Sequence, residues 1–141
     1  MVDEFMTMED YSVLTDARTL ELLQRQDESV RRKAEAVAME QVAGYLRGRC
    51  DIDGIFSARG EERPEIIVCA VADIALYHMI SWLPQKMGWE IRKERYGNTL
   101  AWLAAVQAGK VDPGLPELPA ENGEPSGEVL WGGARKNRFD W

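Results

Sequence analysis

Histidine occurs once in these 141 residues and cysteine only twice. Two thiols, Cys50 and Cys69, are too few for the disulfide framework that staples small secreted domains. Cys69 lies inside an apolar run and reads as a small reduced hydrophobe. With His78 as the sole imidazole, the chain carries no metal-ligand spacing. It also lacks a glycine-rich phosphate loop and a nucleophile elbow, and the reading calls for no cofactor. Basic charge is scarce as well. Seventeen Lys and Arg against 24 Asp and Glu give a net charge of −7, which argues against a non-specific nucleic-acid binder. A protein that surrounds DNA without gripping it stays compatible with that charge. The opening MVDEFMTMED has neither the basic nor the long apolar region of a signal peptide. The expectation is a cytosolic protein with one domain's worth of chain.

What is present is a long apolar stretch, EIIVCAVADIALYHMISWL, from Glu65 to Leu83. Pro64 suits the first turn of a helix, and Pro84 disfavours helical backbone at Leu83, so the two prolines bracket the element. Apolar residues fall on every side, at Ile67, Val71 and Ile74 and also at Ala70, Tyr77 and Trp82. A helix apolar all round is either buried or in a membrane. Asp73 near its middle would cost roughly 2.5–3.5 kcal/mol in a bilayer, and no basic cluster flanks the stretch. The expectation is a central core helix over 65–83 with other helices packed round it, and no membrane.

Upstream, Thr7 and Asp10 have capping-box spacing. Thr15 or Asp16 is placed to cap a helix from Ala17 to Arg25, and Asp27 to cap a longer one. In that longer helix Val30, Ala34, Val37, Ala38, Val42, Tyr45 and Leu46 follow helical spacing. Arg31, Arg32, Glu35 and Glu40 lie away from much of that stripe. The helix is expected to end near Gly48, with Arg47 and Arg49 at its negative end. CDIDGIFSARGEER, from Cys50 to Arg63, reads as a connector whose Ile52, Ile55 and Phe56 tuck into the core.

After a turn over 85–90 with Gly88 as pivot, Ile91 to Gly109 reads as another helix. Tyr96, Leu100, Leu103 and Gln107 share one face, and Thr99, Trp102 and Val106 another. That is more apolar surface than one face requires, so Trp102 and Val106 are candidate interface residues. From Val111 the composition changes: 111–128 holds four of the six prolines and only acidic charges and reads as an extended arm. It ends in VLWGGARKNRFDW, where Trp131, Phe139 and Trp141 stand among Arg135, Lys136 and Arg138. Such residues anchor interfaces, so they form a candidate docking segment. Composition alone equally allows the tail to fold back on its own domain. The division is 1–110 for a helical domain and 111–141 for the arm.

The chemical constellations are thin. His78 has Ser81 three residues on, within side-chain reach, but no local carboxylate to orient it. Asp51-Ile-Asp53-Gly54 looks like the start of a calcium loop without the remaining ligands, and a turn accounts for it. Asp73, in an apolar helix, must find a cation or donors or take up a proton. Arg92 and Arg95 are its candidate partners, and a structural ion pair is favoured over a catalytic acid.

The runs VAGYLRGRCDIDGIF, AVADIALYHM and ERYGNTLAWLAAVQAGKV resemble the Mu-type phage and prophage head–tail joining family (connector, or head-completion, proteins). The most specific parts are Tyr45-Leu46 with Arg49, Asp73-Ile-Ala, and Arg95-Tyr96 with Trp102-Leu103. Cys50 stands where the family pattern has an aromatic residue. The ending WGGARKNRFDW is similar to the tails of members from Bacteroidales prophages. The resemblance implies an all-α fold: a small bundle of about four helices with a C-terminal arm. It implies a structural assembly protein without catalysis, located in the virion or in the cytoplasm of a bacterial host. Its partners would be other copies of itself, in a ring of about a dozen, and the portal and tail-joining proteins, with DNA passing through without specific binding. The alternative is a non-enzymatic helical adaptor or regulatory protein. An enzyme has only Asp73 and His78 in its favour.

Overall fold

The computed structural model describes residues 4–80 and 89–118. Among these the chain forms five α-helices: α1 (Ala17–Gln24), α2 (Glu28–Leu46), α3 (Ile52–Ser57), α4 (Glu65–Met79) and α5 (Trp89–Gln107). Two 3₁₀ turns, Met8–Tyr11 and Gly60–Glu62, complete the regular structure. The fold is a small all-α bundle in which α4 packs against both α2 and α5. The caps are local. Asp16 accepts from the Thr19 N–H at 2.8 Å, Asp27 from the Ser29 N–H at 3.1 Å, and Asp51 from the Gly54 N–H at 3.2 Å. The last of these turns the expected connector into a helix, and its Asp-x-Asp-Gly run is the N-terminus of α3. Ile52 and Ile55 are buried there and Phe56 half-buried.

The central element starts after Pro64 as expected, but not all of it is enclosed. Every residue from Ala70 to Leu76 is buried, Asp73 among them. Fully burying a side chain such as Ile74 or Leu76 contributes about 1.5–3 kcal/mol. In the first turns, however, Ile66 is 44% exposed and Cys69 is exposed too. The reading of Cys69 as a core hydrophobe is therefore corrected: this flank of the first turns of α4 stays open. The helix runs to Met79, with Ile80 as its cap. Leu83, Pro84 and the Gly88 turn lie outside the described residues.

In α2 the buried stripe is Arg31, Ala34, Glu35, Ala38, Val42, Ala43 and Leu46, while Val37 is 40% exposed. The charged pair thus lies inside and Val37 outside, the reverse of the expected order. The reason is the N-terminal segment, which brings polar partners to this end of α2. The buried Tyr11 hydroxyl donates to Glu35 Oε2 at 2.5 Å, and Arg31 Nη1 donates to the same oxygen at 2.8 Å. Glu4 lies 3.5 Å from Arg31 and 2.9 Å from Arg32. Burial, reinforced by the charge of Glu35 and the hydrogen bond to it, pushes the Tyr11 hydroxyl far up, so it remains a donor. A second clamp holds the same segment. Arg63 grips Asp10 at 2.7 and 3.1 Å and the Phe5 carbonyl at 2.7 Å.

Helix α5 ends in a Schellman turn. Lys110 N–H donates to the Ala105 carbonyl, Gly109 N–H donates to that of Val106, and Gly109 sits at φ 80°. A β-carbon on Gly109 would meet the Arg49 guanidinium at 2.8 Å, because Arg49 Nε donates to the Gln107 carbonyl at 2.8 Å. Arg49 thus caps α5 rather than the end of its own helix. Beyond it, 111–118 does not leave the domain as an extended arm. Leu115 is buried, the Asp51 N–H donates to the Pro116 carbonyl at 2.9 Å, and Cys50 pairs with Glu117 in an isolated bridge. Cys50, at 3% exposure, forms part of the core against which this stretch lies.

Candidate functional site

The seam between α4 and α5 carries the one internal charge cluster anticipated at these positions. Asp73 projects from the buried middle of α4, and Arg95 lies in the second turn of α5. Arg95 Nε donates to Asp73 Oδ1 at 2.8 Å and Nη2 to Oδ2 at 3.3 Å; the Thr99 hydroxyl donates to Oδ2 at 3.4 Å. The hydrogen bond to the carboxylate pushes the Arg95 guanidinium up. Arg92 stands differently. Its Nη2 donates to the Leu14 carbonyl at 3.1 Å, while Nη1 lies 4.0 Å from Asp73 and is buried with no hydrogen bond among the described residues. Burial and the neighbouring Arg95 push Arg92 down. Both arginines thus stand within ion-pair range of Asp73, but Arg95 makes the hydrogen bonds to it while Arg92 braces the loop before α1.

Beside this cluster a groove of about 270 Å3 runs along the open flank of α4, walled by Ile66, Cys69 and Ala70 on one side and by Asn98, Thr99 and Trp102 on the other. Burial pushes the Cys69 thiol up, as do the carboxylates of Asp73 and Glu65, so it is a neutral, weakly polar part of the wall. With its buried carboxylate already met by Arg95, the groove offers apolar contact and shape. Trp102 is half-buried, with its ring in the groove wall. Val106, the other candidate interface residue on α5, is 1% exposed and belongs to the core. Four residues along a helix rotate a side chain by about 40°, enough to turn it from the groove toward Cys50 and Leu115, with which it lines a second recess. Trp131, Arg135, Lys136, Arg138, Phe139 and Trp141 lie outside the described residues.

His78 is half-buried, its Nε2 3.1 Å from the Gln41 side-chain oxygen, and burial pushes its imidazole down. Tyr77 and Tyr96 stack beside it at 4.0 Å and 9°. Ser81 lies outside the described residues. The buried Tyr11–Glu35–Arg31 network escaped the sequence reading. Its signal was the Arg31–Glu35 spacing of four, which falls in register with Ala38 and Val42.

The runs singled out in the sequence each take a structural place: Arg49 caps α5, Asp73 meets Arg95, Leu46 and Leu103 are both buried in the core, and Trp102 walls the groove. A family model described as Bacteriophage Mu, Gp36 matches residues 2–130. The chain belongs to this Gp36 family. The matched stretch takes in all five helices and the groove, and it stops one residue ahead of Trp131. No curated protein and no solved structure matches the chain. This Gp36-family chain is thus a phage-type protein of all-α fold. No helix among its described residues is long and apolar enough to cross a membrane.

Proposed function

We propose that this Gp36-family protein is a structural component of virion assembly that joins head to tail, as one subunit of a ring of about a dozen copies between portal and tail proteins. The observation that carries this reading is the family match over 2–130. Two features support it: a net charge of −7, suited to a lumen through which DNA slides, and apolar side chains left open along α4 and α5. The reading assigns the chain no reaction and places it in the virion or in the cytoplasm of the bacterial host before assembly. The segment from Trp131 to Trp141 supplies the contact to the next subunit or to the portal.

The test is genetic, in a phage or prophage that carries the gene. Deleting the gene gives filled heads without tails; normal tailed particles would refute the reading. Deleting Asn122 to Trp141 leaves the melting temperature of the helical domain nearly unchanged and stops joining. A truncated chain that unfolds would assign the tail to its own core. One that still supports joined particles would remove its docking role.

A further inference from the structure

We infer that the α4–α5 groove is the acceptor for the C-terminal segment, residues 129–141, of a neighbouring copy of this chain. This rests on the ring reading above and adds the surface on which the segment docks. The groove is a shallow, open recess. Ile66 is 44% exposed at its lip, and Trp102 and Ala70 form its apolar walls. Its internal charge is already satisfied, because Arg95 holds Asp73 at 2.8 Å. An apolar side chain entering it therefore strands no buried ion.

The occupant follows from chemistry and from chain length. The stretch leading into the groove carries three exposed carboxylates, Glu61, Glu62 and Glu65, and its two cations are engaged elsewhere, Arg59 on the Phe56 and Ala58 carbonyls and Arg63 on Asp10. The segment offers aromatic anchors at Trp131, Phe139 and Trp141, with Arg135, Lys136 and Arg138 between them against a single Asp140. Aromatic side chains fill such recesses, and the cations of the segment are drawn to the exposed Glu65, which adjoins Ile66 in the chain. Twenty-three residues follow Leu118. The twelve before Trp131 span up to about 40 Å when extended, which is enough to leave one subunit and reach the next. Head-to-tail docking of this kind uses two different surfaces of each copy and closes into a ring.

Cys69 makes the docking measurable, because it is exposed in the groove wall while Cys50 is buried. The full-length chain carrying Asn137→Cys places a thiol among the anchors, and mild oxidation with copper–phenanthroline should join it to Cys69 of another copy. Non-reducing electrophoresis then shows dimers and a ladder of larger species. Cys69→Ser abolishes them, and Ile66→Glu or Trp102→Glu slows their formation about tenfold or more, with circular dichroism confirming that each variant is folded. A bond formed within a single chain overturns the inference, and so does a lack of cross-linking to Cys69. Cross-linking indifferent to both groove substitutions overturns it as well. The particle assay separates the two readings. Normal tailed particles on gene deletion, with the cross-link to Cys69 still formed by the wild-type groove, refute the joining role while leaving the docking intact. Loss of joining on gene deletion, without any cross-link, refutes the docking alone.

Discussion

Arg95 meets Asp73 through two hydrogen bonds, at 2.8 and 3.3 Å, across 22 residues of chain. This pair locks the rotation of α5 against α4, and that rotation decides which side chains become core and which remain open as groove. Asp73 is 8% exposed at its side chain and Arg95 40%, so the pair is buried on one side only.

Asp73→Asn should therefore cost about 1–3 kcal/mol, between the values for exposed and buried pairs. Urea unfolding of the single and double variants gives the coupling. Asp73 and Arg95 should couple by more than about 1 kcal/mol, whereas Arg92, 4.0 Å away and bonded to Leu14 instead, should couple by less than half of that. Equal coupling to both arginines would contradict this assignment.

The clamp between Asp10 and Arg63 predicts how acid acts on the fold. Burial pushes the Asp10 carboxyl up, but the Arg63 hydrogen bond, the Thr7 N–H and the Arg63 charge outweigh it and leave Asp10 below its ordinary 3.8. A carboxylate lowered in the folded state contributes stability that is fully present above its unfolded value. That contribution is lost as pH falls from there through the folded value. Asp10→Asn should lower stability at neutral pH and flatten the fall in melting temperature below about pH 4. An unchanged acid slope would show that Asp10 is not held.

Leu115 tests whether 111–118 belongs to the domain. Leu115→Ala should cost about 2 kcal/mol, the lower end for a buried leucine. It should also speed hydrogen exchange at the Asp51 amide, whose acceptor is the Pro116 carbonyl. An Asp51 amide exchanging equally fast in both proteins would mean that this stretch does not hold its place in solution.

The helices were legible in the sequence because their causes are local. Asp16, Asp27 and Asp51 each bond an N–H two or three residues on. Pro64 fixes the start of α4, and the apolar composition of 65–80 demands burial. Asp73 needs a cation wherever it is placed, which brought Arg92 and Arg95 forward without any coordinates. The sequence alone thus determined an all-α domain with α4 at its centre.

What only the tertiary structure decided depends on partners distant along the chain. Arg31 and Glu35 read as a solvated edge of α2 until Tyr11, 24 residues away from Glu35, delivers a buried hydroxyl to them. Arg49 follows α2 yet caps α5, because the chain folds back to bring the Gln107 carbonyl within 2.8 Å. Val106 and Trp102 share a face in the periodicity, and the packing of α5 on the core takes Val106 inward while Trp102, about 40° round the helix, stays in the groove wall. The Pro-rich stretch from Val111 has the composition of an arm, but Leu115 and the Pro116 carbonyl find a buried edge at Cys50 and Asp51. Composition reports how much burial a segment needs, whereas the packing of the helices determines whether a surface is there to receive it.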